Sequence, residues 1–89
     1  MEGTARPRRS DRFKGKDLGE EFLFYDHAGD HVHVLNGTAR SIYLGCDGSS
    51  TVDEIVAGFA EMYEIDEQTA RRDTVNTLER LLECELIEL

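Results

Sequence analysis

Few side chains in this sequence stand where they could do chemistry. His31 and His33 lie two apart in an alternating run, so on a strand both imidazoles share one face and could share a metal ion. No third ligand stands at a suitable spacing, and solvated or partner-facing histidines are the plainer reading. Cys46 and Cys84 stand alone, without CxxC or Cys/His spacing, and read as small buried apolar side chains, with a reactive or paired thiol as the alternative. Asp53-Glu54 and Asp66-Glu67 open predicted helices, where the macrodipole favours negative charge without any catalytic role. There is no nucleophile elbow, no phosphate-cradling GxxxxGK and no GxGxxG. The residues therefore predict no enzyme, no cofactor and no metal.

Two arginines run against local preference. Arg71 and Arg72 fall early on a predicted helix, where the macrodipole disfavours cations. They either recognise an acidic group or pair within the helix with Glu67 and Asp73.

The elements that must position these residues follow from periodicity. From Glu21 to Leu35 the period is two: Phe22 and Phe24 alternate with Leu23 and Tyr25, and His31-Val32-His33-Val34-Leu35 resumes the pattern after turn residues Asp26 to Asp30. This predicts a β-hairpin, with a weaker strand around Arg12 to Lys16 before it. Asn36-Gly37 could turn a hairpin, but Ala39, Ile42 and Tyr43 have helical spacing. Asn36 or Thr38 then caps a short helix that ends near Gly45 to Gly48. Thr51-Val52-Asp53-Glu54 is a capping box before the apolar stripe Val52, Ile55, Val56, Phe59 and Tyr63. Asp66 caps a third helix from about Glu67 to Cys84, with Ala70, Thr74, Leu78, Leu81 and Leu82 inward. Leu86 to Leu89 forms a final half-strand or a packed end. Strands first and helices after give an α+β class, with three helices on one face of a small antiparallel sheet.

The 89 residues suffice for one domain with a modest core. Hydrophobic content of 39% and charged content of 33% suit a soluble chain, and no apolar run approaches the roughly 18 residues that span a bilayer. Met1 to Asp17 is too polar for a signal peptide, which makes cytoplasmic the expected location. Charge is uneven: residues 1 to 17 hold six basic residues against three acids, and residues 18 to 89 hold four against sixteen. Residues 1–11, rich in arginine, are expected to be a disordered basic tail, and residues 12–89 the folded domain. Its acidic surface repels phosphate backbones and favours basic or apolar partners.

One element invites a partner. If His31 to Leu35 is the last strand of the sheet, its outer edge leaves backbone groups unpaired, with no proline, lysine or bulge to blunt it. Such an edge beside an apolar helix can take an extended peptide as an added strand. A second copy of the chain, or its own tail, could instead cover it.

The run Val34-Leu35-Asn36-Gly37-Thr38-Ala39-Arg40-Ser41-Ile42 resembles the PqqD family. So do Cys46-Asp47-Gly48-Ser49-Ser50-Thr51-Val52-Asp53-Glu54-Ile55, Tyr63, Asp66 and Asp73, and Leu78-Glu79-Arg80-Leu81-Leu82. The likeness spans about residues 20 to 89; the Arg-rich start has no counterpart, and Glu85 stands where the family usually has glycine before Leu-Ile. The resemblance implies a winged-helix-like fold and a recognition element for ribosomally made peptides. In it the leader of a precursor adds a strand to the third strand of the sheet, against the third helix, for presentation to a modifying enzyme. That enzyme is often a radical SAM protein, in pyrroloquinoline quinone or related peptide biosynthesis. Carried over, the peptide-binding residues are His31, Val32, His33, Val34, Leu35, Arg71, Arg72, Val75 and Leu78. Partners would be the precursor peptide and its enzyme, with no nucleic acid and no membrane, and with a homodimer through the edge strand compatible. The alternative is a winged-helix DNA-binding regulator, though Glu67 to Leu89 holds three arginines against six acids.

Overall fold

A computed structural model of the chain describes residues 1–26 and 31–89. The turn expected at Asp26 to Asp30 lies, from 27 onward, outside the described residues. The elements run β1 (Arg8–Arg9), β2 (Lys14–Asp17), β3 (Phe22–Asp26), β4 (His31–Leu35), α1 (Gly37–Leu44), α2 (Val52–Tyr63), α3 (Glu67–Glu83) and β5 (Ile87–Glu88). β2, β3 and β4 form an antiparallel sheet in that order, and β1 pairs with β5 in a separate ribbon.

Register assigns the sheet's two faces. The rows Asp17–Phe22–Leu35 and Gly15–Phe24–His33 alternate with Lys16–Leu23–Val34 and Lys14–Tyr25–Val32. Phe24 and Leu35 are buried, so their rows face the helices. There Phe22, Phe24 and Tyr43 pack ring on ring at centroid distances of 4.8 to 5.1 Å. Gly15 sits over this cluster, and a Cβ there would collide with the Phe22 and Phe24 rings.

Each helix starts where its cap predicts. The Asn36 side chain accepts from the Ala39 amide at 3.0 Å, and Thr51 with Glu54 closes the capping box. The Asp66 carboxylate accepts from the Thr69 amide at 2.7 Å. Ile42, Val52, Val56, Ala70, Leu78 and Leu81 close one core beneath the sheet. Arg40 donates twice to Asp17, at 2.7 and 2.8 Å, and so ties α1 to β2. That guanidinium, with the Gly19 amide, holds the Asp17 carboxyl below the usual carboxylate range.

Residues 1–11, expected as a disordered basic tail, carry backbone hydrogen bonds to the α1–α2 connection, the start of α2 and Leu86. Arg9 donates its backbone N–H to Cys46 and Ser10 to Leu86, while Gly48, Val52 and Asp53 donate to the carbonyls of Pro7, Ala5 and Gly3. Pro7 is fully buried. Arg8 and Arg12 make ion pairs with Glu88 and Glu85. These backbone pairs, to which side-chain composition is blind, lay the strap across the end of the helices. Glu85 has a φ of 60°, the left-handed region that glycine enters without strain.

Candidate functional site

β4 bonds to β3 alone among the described residues, and no other backbone hydrogen bond involves His31 to Leu35. Its far edge therefore presents the outward N–H and C=O groups of alternate residues. The edge overhangs a cleft of about 520 Å³. Val32 to Leu35 form one wall, Asn36, Thr38 and Ala39 close one end, and Ile42, Phe59, Leu81 and Leu86 give an apolar floor. The opposite wall is α3, through Asp73, Asn76, Thr77, Arg80 and Cys84. These fall at i, i+3, i+4, i+7 and i+11, one helical face.

Of the residues expected to meet a partner, His31 to Leu35 lie on the open edge, and Val32 to Leu35 line the cleft. The α3 residues Arg71, Arg72, Val75 and Leu78 do not line it. Leu78 is fully buried in the core stripe with Ala70 and Thr74, and Val75 packs half-buried against it. Arg71 donates to Asp53 on α2 at 2.9 Å and to Glu67 at 3.3 Å, and Arg72 pairs with Asp73. The α3 residues that line the cleft form the polar stripe flanking Ala70, Thr74, Leu78 and Leu81, turned about a quarter of a helical circuit toward β4.

Arg80 carries no ion pair among the described residues, so its guanidinium is open to the cleft. Cys84 is half-buried there, whereas Cys46 is enclosed, donates to the Ile42 carbonyl at 3.3 Å, and has its thiol pushed up to about 12 by burial. His33 lies beside Phe13, with ring centroids 6.3 Å apart. Among the described residues no group of three or more His, Cys, Asp or Glu could hold a metal. No described helix is long and apolar enough to cross a membrane.

A small α+β domain with three helices under a three-stranded sheet, one strand edge free above a helix-walled cleft, defines a winged-helix-like class. Residues 21–87 match the model of coenzyme PQQ synthesis protein D, PqqD, and the chain belongs to that family. Among solved structures it is similar to TbiB1 in complex with the TbiA(beta) leader peptide. The TM-score is 0.78 at 22% identity, over 91% of this chain and 94% of that one. At that identity the likeness is one of fold. No curated protein matches the sequence.

Proposed function

We propose that this chain binds the leader segment of a ribosomally made precursor peptide by strand addition to β4 and presents it to a separate modifying enzyme. The observation that carries the reading is the free edge of His31 to Leu35 directly above the cleft. An extended peptide laid on that edge gains main-chain hydrogen bonds, and every second side chain drops between β4 and α3. The floor of Ile42, Phe59, Leu81 and Leu86 suits apolar leader side chains. Arg80 suits a carboxylate, as the cleft's open cation.

Membership of the PqqD family and likeness to a fold seen with a leader peptide support the same role. In this reading the chain holds the peptide and leaves the chemistry to the enzyme. The enzyme is then often a radical SAM protein, and the pathway that of pyrroloquinoline quinone or a related peptide product, in the cytoplasm. A DNA-binding regulator would need several free cations on α3, yet Arg71 and Arg72 are paired with carboxylates, which leaves Arg80 alone against the helix's acids.

The test is NMR titration with the leader of the precursor encoded nearby. Micromolar affinity, about −8 kcal/mol, should come with shifts of the His31 to Leu35 amides and of Asp73 to Cys84. Unmoved signals at saturating peptide would end the proposal.

A further inference from the structure

The sheet has a second face, turned away from the helices and the cleft floor. Opposite the helices, cross-strand rows set Lys14 beside Tyr25 and Val32, and Lys16 beside Leu23 and Val34. Val32 and Val34 are 58% and 54% exposed, in strong contrast to Phe24 at 2% on the other face. The four non-lysine side chains make a contiguous apolar patch, because directly opposed Cβ atoms stand about 5 Å apart. Exposed patches of this kind, rimmed by polar groups, mark interaction surfaces.

Charge says what would cover it. Lys14 and Lys16 are the only two lysines of a chain with a net charge of −9. Neither makes a side-chain ion pair among the described residues, where the arginines at 8, 12, 40, 71 and 72 all do. Free cations thus edge an apolar face on an acidic molecule, which fits a protein surface with an apolar centre and carboxylates at its rim. A second copy fits worse: stacking the face on itself would confine four lysines to one seam, between bodies that already repel.

We infer that the outer face of β2, β3 and β4, with Leu23, Val32 and Val34 at its centre and Lys14 and Lys16 at its rim, docks the acidic surface of the modifying enzyme. This rests on the reading of β4 as the leader's seat and extends it. A leader strand added to β4 turns alternate side chains to the same outer face, next to Val32 and Val34, and so widens it by one strand. The enzyme would then meet a surface that is complete only when the module is loaded.

The test uses the purified chain, the leader of the neighbouring precursor, and the modifying enzyme encoded beside them. Lys14 lies two strands from the open edge, about 10 Å, so changes there leave the leader's seat intact. Lys14→Glu/Lys16→Glu should leave leader affinity within about twofold and weaken enzyme binding at least about tenfold, the size expected of steered, charge-matched contacts. Lys14→Arg/Lys16→Arg should retain binding, and Leu23→Thr should lower it without moving the leader. Leader should also raise the wild-type chain's affinity for the enzyme. Enzyme binding that is absent, or indifferent to both the charge reversal and Leu23→Thr while leader still binds, overturns the inference. So does a homodimer that Leu23→Thr dissolves. Failure of the leader to bind the wild-type chain is read in a separate titration and sinks the reading of β4 first.

Discussion

Strand addition has a signature that ordinary cleft binding lacks, and it can be written into the peptide. β4 offers five residues, His31 to Leu35. In an antiparallel pair only alternate residues point their N–H and C=O groups across the gap, so two or three leader amides donate to this edge. Methylating one removes a donor whose net worth is about 1 kcal/mol and leaves a β4 carbonyl without its partner. Methylating two in the same phase should cost about 2 kcal/mol, roughly 30-fold in Kd. The same modification one residue out of phase touches amides that point away from β4 and should change Kd by less than about threefold, within the spread of a single weak bond. Anisotropy titration of a labelled leader with each singly methylated variant would give a profile with a period of two. A profile without that period, or one in which no position matters, refutes the edge-strand argument whatever the overall affinity.

Three further outcomes concern α3 and the two thiols. Arg71→Ala should leave leader affinity unchanged and barely lower stability, because exposed ion pairs are weak, whereas Leu78→Ala should destabilise by about 3–5 kcal/mol through the cavity it opens; peptide titration and chemical denaturation separate the two. The buried Thr74 hydroxyl has no hydrogen-bond partner among the described residues, so Thr74→Val should stabilise by about 1 kcal/mol, read as a rise in Tm. At pH 8 an alkylating probe should label Cys84 and spare Cys46, whose thiol is pushed up to about 12. Saturating leader should slow labelling of Cys84, while equal rates at both thiols would contradict the burial.

Much of this architecture is legible in the sequence, for reasons that differ element by element. The capping box at Thr51 and the apolar stripe behind it are local, so α2 appears where the pattern puts it. His31 to Leu35 is recognisable as an edge because the chain turns helical immediately after Asn36, leaving no later long strand to pair with it. The α3 wall of the cleft is a different matter. Core periodicity marks Ala70, Thr74, Leu78 and Leu81, but which flank of that stripe faces β4 depends on how the helix packs under the sheet. Arg71 and Val75 lie on one flank; Asp73, Asn76, Thr77 and Arg80 lie on the other. The strap of residues 1–11 escapes for another reason, since its attachment runs through backbone groups of Gly3, Ala5, Pro7, Arg9 and Ser10.

That strap and β2 both precede residue 21, where the family match begins. Cutting the chain back to the matched span would remove Lys14 to Asp17 from β3 and the cover from Leu86 and Ile87. The sheet left beside the three helices would be a two-stranded hairpin with two sticky sides, one of them never meant for a guest. It would bind its own kind as readily as a peptide, and a loss of selectivity in such a fragment would report the trimming rather than the protein.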